Sequence, residues 1–101
     1  TVLQQADISV AGREVVTAKA ELPVCGATGK HTHFGEEVGY VADGMLMLEV
    51  EGQPAKMLKA GEVFLVPAGK VHNAMNHGTG TAAVIANYIV EKGKPIPELM
   101  G

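Results

Sequence analysis

Glycine and proline punctuation constrains this chain more than any other feature. Thirteen glycines and five prolines recur through 101 residues, and the stretches between them are short. Those stretches are either apolar or alternate apolar with polar residues, the pattern of strands joined by tight turns in an all-β sandwich or barrel. Strands are expected at 14–22, 37–42, 45–50, 55–58, 62–66, 71–76 and 81–90. The 14–22 stretch also holds good helix formers, but its nine-residue length and flanking turns favour a strand. Asp43-Gly44 between two apolar runs is a hairpin signal. Residues 1–9 read as irregular or as an edge segment. The tail at 91–97, with two prolines, reads as an extended arm lying across the barrel or a partner. With the edge segment this makes about eight strands, and a small jelly-roll β-barrel limits their exposed edges.

Composition narrows the function classes. The length suits a single domain over 1–101. No apolar run approaches the roughly 20 residues of a membrane helix, so no membrane partner is expected. Net charge is −3, and the eight basic residues, of which only Arg13 is an arginine, are scattered. A nucleic-acid footprint needs clustered Lys and Arg, so nucleic acid is not expected as a partner either. The single cysteine, Cys25, allows no intrachain disulfide. Both a cytoplasmic location and, had a signal peptide been removed ahead of Thr1, a periplasmic or secreted one are compatible with that.

The chemistry concentrates in Lys30-His31-Thr32-His33-Phe34-Gly35-Glu36-Glu37. In an extended strand alternate side chains share a face, so His31 and His33 point the same way. Two imidazoles with a carboxylate four residues on make a first-row metal site with mixed nitrogen and oxygen ligands. His72, in a second patterned stretch, completes a set of His31, His33, Glu37 and His72 holding one divalent metal inside the barrel. Three imidazoles and one carboxylate suit Fe, Mn, Ni, Co, Cu or Zn alike.

These residues resemble the cupin family. Its first motif runs Gly-x5-His-x-His-x3(or 4)-Glu-x6-Gly, and His31, His33, Glu37 and Gly44 stand at the required spacings. Cys25 occupies the slot of the leading glycine, with Gly26 one position late. The second motif, Gly-x5-Pro-x-Gly-x2-His-x3-Asn, is met in full by Gly61, Pro67, Gly69, His72 and Asn76. Motif 1 thus spans about 26–44 and motif 2 spans 61–76, with sixteen residues between Gly44 and Gly61. The resemblance implies a small β-barrel, the ligands His31, His33, Glu37 and His72, and pairing into homodimers through outer strands.

Alternation extends the site outward. If Glu37 points inward, so do Gly39 and Val41, and if His72 does, so does Ala74. The metal would then face an open, mainly apolar pocket lined by Gly39, Val41 and Ala74, with Phe34 at its rim. One of Asn87 and Tyr88 should also face in. Asn76 is expected to fix a turn through side-chain hydrogen bonds to the backbone. His77 reads as a solvated loop residue, Glu36 as exposed, and Cys25 as a buried or half-buried turn residue. Met45 and Met47 share a strand face opposite Leu46, Leu48 and Val50. With the aliphatic face inside, the two methionines lie outside, where paired apolar side chains point to a subunit interface; a thioether contact to copper is the alternative.

For function, the expectation is a metal-dependent, dioxygenase-type oxidoreductase acting on a small neutral molecule. Glu37 would be the fourth ligand and a candidate catalytic proton acceptor. The alternatives are a non-catalytic module binding a metal or small ligand, and an isomerase or lyase. The last needs a second acid or base, and the single arginine lies far in sequence from both motifs.

Overall fold

The computed structural model describes residues 1–94; the end of the proline-bearing tail falls outside the described residues. Eight strands run in chain order: β1 (Val2–Asp7), β2 (Arg13–Leu22), β3 (Gly35–Asp43), β4 (Met45–Val50), β5 (Lys56–Lys59), β6 (Val63–Val66), β7 (His72–Met75) and β8 (Ala82–Glu91). They form two antiparallel sheets, one ordered β1-β2-β8-β3-β6 and the other β5-β4-β7. Described residues include no helix, so none is long and apolar enough to cross a membrane.

The turn chemistry explains the breaks. Gly44, Gly52, Gly61 and Gly69 all take positive φ, between 73° and 94°, where glycine has no steric penalty. Gly44 lets β3 reverse directly into β4, and Asp43 Oδ1 accepts from the Gly44 amide at 2.9 Å. The first residues form a true strand, β1, paired to β2 at the edge of the larger sheet.

Period two sorts the side chains. On β8, Val84, Ala86, Tyr88 and Val90 are buried; on β4, Leu46, Leu48 and Val50 are buried. Together with Val16, Ala18, Val41, Leu58 and Val66 they form one core between the sheets. The longest pairing joins β2 to β8 over ten residue pairs, Arg13↔Glu91 to Leu22↔Ala82. β3 pairs with the other side of β8, so its inward residues face the smaller sheet beside those of β8.

Two local expectations are corrected. His31 and His33 do not sit in a regular strand. They lie in an extended segment ahead of β3, and only His31 pairs, through an isolated bridge to His72. The reason is the Gly29 turn (φ 82°) just before and the bend at Phe34 just after, which leave too little straight chain for a ladder. Cys25, expected to be at least half-buried, is exposed. Its amide donates to Asn76 O at 3.0 Å, but the turn directs the thiol to solvent.

Cys25 is also the one described residue other than glycine with positive φ, at 68°. That accounts for a glycine in this motif slot: a side chain there costs roughly 1–2 kcal/mol. Glycine's greater freedom in the unfolded chain offsets part of the gain. The Cys25→Gly variant is expected to be more stable by about 1 kcal/mol, raising Tm by ~5 °C. Thermal denaturation followed by circular dichroism checks this, and an unchanged or lower Tm contradicts it.

Candidate metal centre

Three segments bring the ligand candidates together. The His31↔His72 bridge, with reciprocal amide–carbonyl bonds of 3.0 and 2.9 Å, ties the histidine segment to β7. His33 follows two residues later, and Glu37 projects inward from β3. His31 and His72 have ring centroids 4.2 Å apart, and His33 and His72 4.8 Å apart. One ring nitrogen of each histidine lies within 4.8 Å of the other two, so these three are positioned to bind a metal. His33 and His72 are only 2% and 3% exposed, which keeps bulk water from competing for the site.

Backbone carbonyls orient each ring. His31 Nδ1 lies 2.6 Å from Gly29 O, His33 Nδ1 2.8 Å from Gly35 O, and His72 Nδ1 2.9 Å from Lys70 O. A carbonyl oxygen only accepts, so each Nδ1 carries the hydrogen and the neutral ring keeps its lone pair on Nε2. This outer contact sets tautomer and ring angle and makes the ligating nitrogen more basic. All three contacts run to a residue two positions away, so each histidine is held by its own loop.

Glu37 stands among these nitrogens. Its Oε1 is 3.2 Å from His33 Nε2 and 3.4 Å from His72 Nε2, with the side chain 7% exposed. Nitrogen and oxygen donor atoms of two imidazoles and a carboxylate therefore converge in a buried place, with Glu37 Oε1 within hydrogen-bond reach of His33 Nε2. The chemistry of the three clustered imidazoles fits a divalent transition metal, and the Glu37 carboxylate stands beside them.

Beside this cluster lies a cavity of about 550 Å³, in the range typical of ligand pockets. Glu37 and His72 reach it from one side. Leu46, Leu48, Phe64, Ala74, Val84, Ala86 and Tyr88 supply an apolar part of its wall, and the exposed Lys19 and Glu21 border it. Ala74 is the pocket residue from the alternation argument that lines this cavity. Val41 points inward but is fully buried in the core, because it lies too far along β3. Gly39 also points inward, yet its vacant space is taken by the ring of Phe64, its partner on β6: a Cβ at Gly39 would stand 2.1 Å from Phe64 Cζ. Phe34 is 48% exposed and lies outside the cavity lining, with Lys94 Nζ 5.3 Å above its ring and its carbonyl accepting from Arg13 Nη1. Chain bending at Phe34, needed to begin β3, turns it away from the interior.

Tyr88, not Asn87, is the inward member of its pair. It is 2% exposed, lies opposite Glu37 in register, and meets His33 edge-to-face at 5.4 Å. Asn87 faces the other way, accepting from Thr17 Oγ1 at 2.7 Å. Phe64 went unread in the sequence; the signal for it was a mid-strand glycine, which marks a place where a neighbouring aromatic ring can settle. Asn76 is fully buried and clasps the backbone as expected: Nδ2 donates to Leu22 O and Gly80 O, and Oδ1 accepts from the Gly78 amide. His77 is an exposed loop residue.

The chain is thus a two-sheet β-barrel in which three histidines positioned to bind a metal stand beside a cavity. Residues 18–90 match the cupin domain family, and the chain belongs to it. Among solved structures, a predicted oxalate decarboxylase from Thermotoga maritima is 26% identical, with a TM-score of 0.66 over 78% of this chain and 84% of that one. An RmlC-like cupin from Shewanella frigidimarina is 22% identical, with a TM-score of 0.68 over 89% of this chain and 86% of that one. An oxalate oxidase in complex with the substrate analogue glycolate is 22% identical, with a TM-score of 0.71 over 83% of this chain but 44% of that one. No curated protein matches the sequence.

Proposed function

We propose that this cupin binds one divalent transition metal through His31, His33, His72 and Glu37, and acts as a dioxygenase-type oxidoreductase on a small neutral molecule. The observation that carries the metal is the shared orientation of three imidazoles, each with Nδ1 tied to a carbonyl. An ion held by these four residues would supply Lewis-acid and redox chemistry. Leu46, Leu48, Phe64 and Val84 make an apolar wall on one side of the adjoining space. Glu37, between His33 and His72, is the proton acceptor closest to that space.

Cavity chemistry favours a neutral substrate over a dicarboxylate such as oxalate. The one arginine, Arg13, is occupied at the Phe34 carbonyl and does not line the cavity, so the bidentate anion clamp is missing there. Two outcomes separate enzyme from binder. Metal analysis of the purified chain is expected to find about one ion per chain, lost in His72→Ala. Loaded with Fe(II), the chain is expected to consume O2 with a neutral enolisable compound, and the variant is not. Metal uptake without O2 consumption across such compounds would replace the oxidoreductase by a binding module. No uptake at all would remove the metal.

Pairing of two copies is supported by the outer face of the larger sheet. Val38, Tyr40, Val63 and Leu65 are 39%, 46%, 64% and 57% exposed, and register places Val38 beside Leu65 and Tyr40 beside Val63. This block is apolar and uncharged and spans the edge strand β6 and its neighbour β3, so a second copy of the same block meets it without like-charge repulsion. Light scattering after size exclusion is expected to give twice the 10.5 kDa chain mass. Leu65→Glu, which places two carboxylates in such an interface, is expected to give the monomer. A monomer in both proteins overturns the pairing.

A further inference from the structure

The two sheets cover their outer faces with different chemistry. The larger sheet uses Val38, Val63, Leu65 and Tyr40, residues that strands favour. The smaller one uses methionine. In register, Met47 on β4 pairs with Met57 on β5 and with Met75 on β7, so three thioethers form one row across all three strands. Their neighbours confirm which way they face: Leu46, Leu58 and Leu48 alternate with them and are buried. Met57 is 42% exposed, while Met47 and Met75 are half-buried. Met45, next along β4 on the same side, brings four of the chain's five methionines to this face.

The spacing suits convergence on one point. Neighbouring strands lie ~4.8 Å apart, so Met57 and Met75 stand about 10 Å apart with Met47 midway. Methionine has three rotatable side-chain bonds, so the outer two sulfurs can lean toward the central one. Thioethers are soft, uncharged ligands that select Cu(I) over harder ions such as Zn(II). The flanking charges oppose each other: Glu49 lies beyond Met47 on β4, and Lys59 lies opposite Met45 on β5. We propose that this row is a second metal site, holding one Cu(I) ion through Met47, Met57 and Met75 on the outside of the barrel. It requires none of the four candidate ligands inside, so it stands or falls independently of the function proposed above.

The test is an anaerobic titration with Cu(I) against bicinchoninate. The full chain carries His72→Ala and Cys25→Ser, which disable the internal cluster and remove the only thiol. About one Cu(I) per chain is expected, and adding Met47→Leu, a swap of similar volume, is expected to weaken binding at least tenfold. Ag(I) added to the unaltered chain, with methionine methyl carbons labelled, provides a readout that needs no variant. The Met47, Met57 and Met75 methyl signals are expected to shift together. No Cu(I) uptake, uptake indifferent to Met47→Leu, or methionine signals unmoved by Ag(I) would each overturn the site.

Discussion

Gly35→Ala is expected to be the most damaging single-methyl change in this protein. Gly35 opens β3 opposite Val90, and a Cβ there would lie 1.8 Å from Ile89 O and 2.7 Å from Ile89 C. Those are backbone atoms of the central strand β8, which is held on its other side by β2. No side chain can rotate to make room, so the β3–β8 ladder must part at its end. Gly35 O is also the acceptor that orients His33. Stability should therefore fall by about 4 kcal/mol or more, and Tm by ~15 °C or more. Metal uptake should weaken even in whatever folded protein remains. Gly52→Ala is the control. Gly52 has φ 81° but nothing within 4 Å of a Cβ, so only the left-handed backbone cost of about 1 kcal/mol applies. Denaturation curves that place the two variants together would mean that the close approach to β8 costs little at Gly35.

The second large effect belongs to Asn76. One fully buried amide serves three backbone groups: the Leu22 carbonyl ending β2, the Gly80 carbonyl before β8, and the Gly78 amide between them. Asn76→Ala leaves all three without that partner. An unsatisfied buried polar group costs about 1–3 kcal/mol, and the loop's backbone can shift to recover some hydration. The expected loss is about 3–4 kcal/mol in urea unfolding. Asn76→Asp should do no better than alanine. Its carboxylate can still accept from Gly78, but it faces two carbonyl oxygens with no hydrogen to offer them. Metal stoichiometry measured below the unfolding transition should stay unchanged, because Asn76 clasps loops and does not touch the histidines. If Asn76→Ala is as stable as the parent protein, the clasp is not what closes this end of the barrel.

Strand positions were legible because they depend on neighbouring residues. Alternation in Met45 to Val50 and the Asp43-Gly44 turn are properties of a few consecutive side chains, and the smaller sheet follows them. His31, His33 and Glu37 were legible for the same reason, since close spacing along extended chain restricts where side chains can point. His72 needed the second motif, because its approach to His31 is a pairing across some forty residues. The pocket was read less well. Alternation states that Gly39 and Val41 face inward, and they do, but it cannot state what packs against them. Phe64 fills the first position and the core closes over the second. Phe34 is expected at the pocket rim, but the chain bends there and turns it outward.

By itself, then, the sequence determined the β class, the turns, the inward faces and the ligand candidates, because these follow from local sterics and the two-residue period of a strand. Only the tertiary structure decided that three carbonyls hold the imidazole tautomers. It alone decided that Tyr88 rather than Asn87 faces His33, and that three methionines fall into one row. Each of these depends on register between segments distant in the chain, where a shift of one residue exchanges every inward side chain for an outward one.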